Sequence, residues 1–318
     1  MTATERRPLL VVNPRSGRGQ TGRAFPTMRF TIEDALGPVD VAMTTHPGHG
    51  IELARDGALS GHRLIVAVGG DGTIHEVVNG LLESGLQGDE RARLGIIGQG
   101  TGGDFRRTLG VEHRLDRYLA AIASGHERAV DVGRLRYRDR AGETRERYFV
   151  NILSAGMGGL VDQYVAAMPR VVSGKSAYFL ASLRALVNIR PGRVHANVRL
   201  AGKESERTIE TLMLAICNGR YFGSGMHVAP MAKPDDGVFD VVTFGGRSKI
   251  AFAGSSRKVY DASHLGEPGV EHFQCDGIDL TLENADAERT FLLDVDGEPL
   301  GGLPVHVEMV PAAVLVRA

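Results

Sequence analysis

Hydrophobic positions along the chain fall into two regimes. Up to about residue 130, short apolar runs of strand length alternate with segments whose apolar residues recur at helical spacing. Residues 9–12, 39–43, 64–68 and 94–98 read as buried strands. Residues 23–36, 51–58 and 114–123 read as helices, the first interrupted by Pro26, and Ile74, Val77, Val78, Leu81 and Leu82 mark another. Beyond Asp131 the pattern changes. Residues 134–138 and 145–150 alternate about a turn at 139–142, as a hairpin would. Residues 151–159 are small and glycine-rich, and Gly156-Met157-Gly158-Gly159 reads as a turn over a cleft. Helices are expected at 160–168 and 176–188, and strands at 193–200, 207–217, 238–244, 277–283, 289–295 and 304–310. A run of βα units followed by a run of strands predicts two domains. The first, 1–131, is an α/β domain with a parallel sheet flanked by helices; the second, 132–304, is mainly antiparallel β.

One stretch organises the first domain. The run Leu64–Val68 ends in Gly69-Gly70-Asp71-Gly72-Thr73, and a helical pattern follows at once. Thr73 and Glu76 have the spacing of a capping box, which places the helix start there. Strand, glycine loop and helix start together aim backbone N–H groups and a helix dipole at an anion. The strand at 94–98 leads into a second glycine loop, Gln99-Gly100-Thr101-Gly102-Gly103-Asp104. Two parallel strands ending this way put both loops at the sheet edge where α/β proteins bind ligands. Elsewhere Gly17, Gly19 and Gly22 match G-x-G-x-x-G, with Asp40 downstream. Asn13-Pro14-Arg15-Ser16 separates that match from its strand, which argues against a dinucleotide fingerprint. His46 and His49 lack further ligands at metal spacing and read as surface residues.

These residues carry a resemblance. Gly69–Thr73, Gly100–Phe105, the opening Val12-Asn13-Pro14-Arg15-Ser16-Gly17 and the late Asp296-Gly297-Glu298 resemble, in that order, the diacylglycerol kinase catalytic domain family. That family includes bacterial lipid kinases and sphingosine kinases and is related to NAD kinases. The likeness runs from about residue 8 to the C-terminus.

The resemblance implies an ATP-dependent lipid kinase with its active site in the interdomain cleft. It also implies that 305–318 returns to the first domain. Phosphoryl transfer needs a held triphosphate, a charge-neutralising Mg²⁺ and a hydroxyl whose proton can leave. For ATP the resemblance points to Asn13, Thr44, Gly69, Gly70, Asp71, Gly72, Thr73, His75, Glu76, Gly100, Thr101 and Gly102. The general base aligns with Asp296, with Glu298 as an orienting partner and Asp71 as a rival. A structural metal is implied at the Asp236 side chain and the carbonyls of Lys233 and Val238. The acceptor is expected to be a diacylglycerol- or sphingoid-like lipid, against an apolar lining drawn from Tyr164, Met168, Tyr178, Phe179, Leu183 and Leu186. The loop Tyr221–Gly225 is a candidate cover. Two positions depart from the family pattern: Gly103 and His75 both stand where Asn is usual. Gly103 motivates a catalytically impaired nucleotide sensor as an alternative. A kinase of the same fold with a soluble acceptor such as NAD is the other.

Bulk properties narrow the rest. A formal net charge of −1 lacks the basic surplus of a nucleic-acid binder. The 42 glycines show no collagen-like period, so they read as turns and ligand loops. Cys217 and Cys275 are expected to be free thiols of a reducing compartment. No G-x-x-x-x-G-K-[ST] occurs, which excludes a Walker-type site. No secretory h-region and no membrane-length apolar window are seen. A cytoplasmic protein in transient contact with a membrane is expected, and a homodimer is compatible with all of this.

Overall fold

The computed structural model describes residues 6–100, 102–139, 141–168, 175–245, 249 and 256–318. The chain divides into two compact units, Met1–Val132 with Pro311–Ala318, and Gly133–Val310.

In the first unit, strands and helices alternate. They are β1 (Leu9–Val12), α1 (Gln20–Leu36), β2 (Asp40–Met43), α2 (His49–Leu59), β3 (Leu64–Gly69), α3 (Asp71–Glu83), β4 (Arg93–Gly98), α4 (Asp104–Leu109) and α5 (Leu115–Ala123). The strands pair in parallel in the order β2-β1-β3-β4. Every residue of β1 is buried, because helices cover both faces of such a sheet. Leu10, Val12, Phe25, Ile32, Val68 and Ile97 belong to one of its cores. Gly69 pairs with Gly98, so β3 and β4 end level and release their glycine loops side by side. Pro26 sits inside α1 without ending it and removes only the bond its N–H would give the Gly22 carbonyl.

The second unit is a largely antiparallel sheet with flanking helices. Its elements are β5 (Arg128–Arg138, starting in the first unit), β6 (Thr144–Phe149), β7 (Ile152–Gly156), α6 (Met157–Ala166), α7 (Lys175–Asn188), β8 (Gly192–Leu200) and β9 (Lys203–Cys217). There follow β10 (Tyr221–Phe222), β11 (Met226–His227), β12 (Phe239–Gly245), β13 (Val270–Cys275), β14 (Gly277–Leu282), β15 (Leu292–Val295), β16 (Glu298–Gly302) and β17 (Val305–Arg317). Strand neighbours run β16-β15-β7-β9-β8-β14-β17, and β12 joins β9 to β13. Alternation along β8 buries Val194, Ala196 and Val198 against Phe149, Phe239 and Phe291. At its far end β17 leaves β14, and Val316 pairs in parallel with Leu94 of β4.

Three expectations need correction. Residues 152–156, expected only to be small and glycine-rich, form β7, which is buried at every position between β9 and β15, and the turn expected at 156–159 is instead the start of α6. Small side chains made this central strand look like a loop. Strands β13 and β16 and the short α4 carry no strong apolar period and went unread. The capping box at Thr73 and Glu76 is not formed: α3 begins at Asp71, its N-cap is Gly70, and no side chain caps it.

Cys217 and Cys275 are free and buried. Burial pushes the Cys275 thiol up to about 12 and the Cys217 thiol well above its ordinary value, so neither is a nucleophile at neutral pH.

Candidate functional site

One group of candidate residues lies in the first unit, where the two glycine loops are cross-linked. Gln99 N–H donates to the Gly69 carbonyl at 2.7 Å. Gly103 N–H donates to Asp71 Oδ2 at 2.7 Å, and Phe105 N–H to Oδ1 at 3.4 Å. Asp71 therefore opens α3 while holding the start of α4. A Cβ on Gly100 would stand 2.6 Å from the Gly70 Cα, so the loops meet backbone to backbone with no room for a side chain. That bare backbone at the start of α3 fits a phosphate group. Gly103 adopts φ 67° and ψ 39°, the left-handed region that glycine and asparagine both tolerate. Its replacement of the usual Asn thus keeps the turn.

The remaining donor-side residues are largely braces. Asn13 Nδ2 donates to Thr73 Oγ1 at 3.2 Å, tying the end of β1 to α3. Glu76 reaches away from its own helix: Oε1 accepts Gly48 N–H at 2.7 Å and Oε2 accepts Gly50 N–H at 2.9 Å. It thereby fixes the loop after Thr44, whose own N–H bonds the Val12 carbonyl at 2.8 Å. His75 is 5% exposed and lies against Asn79, a core position rather than a ligand-facing one. Thr101 lies outside the described residues. His46, His49 and Glu52 form the one three-residue group with metal-binding spacing among the described His, Cys, Asp and Glu residues. The His49 Nδ1 lone pair there faces the Thr45 N–H at 3.1 Å.

The other group of candidate residues lies in the second unit. Asp296 and Gly297 are the two central residues of the β15–β16 hairpin, with φ of 51° and 90°. Asp-Gly is thus both a tight turn of the primed type and the acidic motif. The Asp296 carboxylate accepts Val150 N–H at 3.1 Å, Asn151 N–H at 3.1 Å and Ile152 N–H at 3.0 Å. Both its oxygens are thereby committed to the backbone leading into β7. Glu298, one residue past the turn, is exposed.

Sequence reasoning missed the residues behind this hairpin. Asn151 Nδ2 donates to the Tyr221 carbonyl at 2.7 Å, linking the Asp296 cradle to the β10–β11 hairpin. Asn218 Nδ2 donates to the Val150 carbonyl at 2.7 Å. Asp294 is 3% exposed and accepts Gly297 N–H at 2.9 Å. Burial, the hydrogen-bonded Asp162 carboxyl and the nearby Asp296 charge push its carboxyl well above the ordinary range. Ionisation of Asp294 is thereby disfavoured. Its place in Leu293-Asp294-Val295-Asp296, on the alternate face of a buried strand, was the available signal.

The turn before β12 carries the residues expected to hold a structural metal. Asp236 is exposed, and Val238 N–H donates to its Oδ1 at 3.3 Å. A carboxylate and backbone carbonyls on one tight turn are the oxygen donors that Mg²⁺ or Ca²⁺ takes. Among the apolar-lining residues, Tyr164 and Met168 pack against the Leu160–Ala185 core, Leu183 is exposed, and the Tyr178 and Phe179 side chains lie outside the described residues. No helix among the described residues is long and apolar enough to cross a membrane.

Two linked glycine loops on a parallel sheet and an acidic hairpin in a β-rich unit define a two-domain kinase. Residues 7–135 match the diacylglycerol kinase catalytic domain, and residues 151–318 match the YegS C-terminal NAD kinase beta sandwich-like domain. The chain belongs to this YegS family of kinases. It is 29% identical over 289 residues to a protein of Chromohalobacter salexigens named probable lipid kinase YegS-like, covering 90% of this chain and 86% of that one. It is 27% identical over 279 residues to the probable lipid kinase YegS of Escherichia coli O127:H6, covering 88% and 86%. In fold it resembles the crystal structure of a diacylglycerol kinase from Bacillus anthracis, with TM-score 0.70, 23% identity, and 99% and 97% of the two chains covered.

Proposed function

We propose that this kinase transfers the γ-phosphate of ATP to a hydroxyl of a diacylglycerol- or sphingoid-like lipid. The observation that carries the donor half is the Asp71–Gly103 bond, which keeps two bare glycine loops together where a triphosphate is to be cradled. The lipid acceptor is supported by relatives named as lipid kinases over about nine-tenths of the chain.

Gly69–Gly72, Gly100 and Gly102 hold phosphate oxygens through backbone N–H groups, and the Thr73 hydroxyl is braced by Asn13. Mg²⁺, when bound with the nucleotide, neutralises charge on those oxygens. Lys233, Asp236 and Val238 would hold a second, structural ion. Glu298 is assigned the proton of the acceptor hydroxyl. Asp296 has little room to accept that proton, because three N–H groups already use its lone pairs, and its part is to set the hairpin that presents Glu298.

A kinase with a soluble, NAD-like acceptor is the second reading. It is favoured by the NAD kinase-like character of residues 151–318. Transfer of ³²P from labelled ATP into organic-extractable product separates the two. Mixed micelles of diacylglycerol, sphingosine, ceramide and phosphatidylglycerol would be offered beside NAD in detergent-free buffer. Label in one lipid that vanishes in Glu298→Gln supports the proposal, whereas label in NAD alone sinks it.

A further inference from the structure

Helix α7 has two faces that the core does not explain equally. At 100° per residue, Ala181, Ala185 and Ile189 span an arc of about 80°. They are buried at 0%, 0% and 1% and pack on Leu160, Val161 and Leu212. Across the helix, Leu180, Leu183 and Val187 fall within an arc of about 60°. They are 47%, 53% and 68% exposed, the densest set of bare aliphatic side chains among the described residues. Scattered exposed leucines need no explanation, but three aligned on one helix face do.

We propose that α7 is a membrane-docking element, laying Leu180, Leu183 and Val187 on an anionic bilayer. The inference rests on the lipid-kinase reading for its purpose, since such a kinase must reach an acceptor held in a bilayer.

Charge favours this occupant. Lys175–Asn188 contains no Asp or Glu. Arg184 lies about 40° from the Leu180 direction, exposed, with its guanidinium 4.4 Å over the Tyr164 ring. Lys249 donates to the Val187 carbonyl at 2.6 Å, placing an ammonium at the C-terminal end of the helix. Arg190, just beyond, is exposed and has only a distant partner in Asp286, 3.9 Å away. Apolar residues flanked by cations are the composition of an interfacial helix on anionic lipid. A second copy of this chain suits the face less well, because a two-fold contact would bring Arg184 towards its own equivalent.

Flotation of the full-length protein tests this, using vesicles of phosphatidylcholine alone and of phosphatidylcholine mixed with phosphatidylglycerol. Wild type should float with the anionic vesicles and far less with the neutral ones. Leu180→Ser with Val187→Ser should reduce the bound fraction roughly tenfold or more. Arg184→Gln should cost about fivefold. Phe30→Ser removes a 75% exposed side chain of the first unit and should change nothing. Circular dichroism and melting curves confirm that each variant folds.

Three results overturn the proposal: wild type stays with the pellet, the double variant floats as well as wild type, or neutral vesicles bind equally. A double variant that floats normally but loses a dimer in sedimentation assigns the face to a second copy and also overturns it. Vesicle binding is read without turnover, so failure of the kinase assay leaves this outcome distinct. A short-chain, monomeric acceptor should be phosphorylated equally by wild type and the double variant.

Discussion

Asp71 reaches from the first turn of α3 to the backbone of Gly103, and this bond, 2.7 Å long, ties the two glycine loops together. An aspartate in a nucleotide loop is easily taken for a base or metal ligand, but here its oxygens face Gly103 and Phe105 N–H groups. Asp71→Asn replaces one charged acceptor by an amide that cannot accept on both sides. Hydrogen bonds to charged groups are worth about 1.5–3 kcal/mol, so ATP affinity should fall roughly tenfold to a hundredfold. Binding of a fluorescent ATP analogue measures this. Unchanged affinity with turnover abolished would give Asp71 the base role instead.

Gly103 tests whether the departure from the family pattern matters. Its left-handed conformation admits Asn, so Gly103→Asn should shift stability by no more than about 0.5 kcal/mol and leave nucleotide affinity intact. Gly103→Val should cost about 1–2 kcal/mol, because a β-branched residue resists positive φ. Thermal melts and nucleotide titrations of the pair decide it. A marked gain in affinity with Asn would restore the idea of a weakened site.

How much of this was legible beforehand depends on the reach of each interaction. The parallel sheet was readable because strands covered on both faces become continuous apolar runs, as β1 and β3 are. Glycine loops announced themselves through composition. The braces did not. Glu76 finds its partners 26 and 28 residues upstream, so its local spacing to Thr73 suggested a cap it does not make. Asp296 is held by groups 144 to 146 residues away, and the β7 strand beside it is too small-featured to read as a strand. The same distance hid Asn151 and Asn218. Free, buried cysteines were foreseeable from their number and their apolar neighbours.

Asp296 and Glu298 should separate cleanly when both are mutated. Glu298 is exposed on the hairpin, so Glu298→Gln should leave the melting temperature unchanged. Loss of a general base should lower kcat by about 10²–10⁴-fold. Asp296→Asn turns an acceptor towards backbone N–H donors and should cost about 2–4 kcal/mol of stability as well as activity. Steady-state kinetics beside thermal melts measure both. Full activity in Glu298→Gln with a stable, inactive Asp296→Asn would return the base to Asp296.

Asp294 gives the second unit a stability that depends on pH. Its folded-state carboxyl titrates well above the ordinary range, through burial first and the neighbouring Asp162 and Asp296 second. The folded protein therefore binds this proton more tightly than the unfolded chain does. Its contribution is complete below the unfolded value, about 4, and is lost as pH rises through the raised folded value. Asp294→Asn stays neutral throughout. Its melting temperature should fall less than that of wild type between mildly acidic and alkaline buffer, so that the two curves converge or cross at the alkaline end. Parallel curves would mean that Asp294 is ionised in the fold and that its bond to Gly297, 2.9 Å long, is made by a carboxylate.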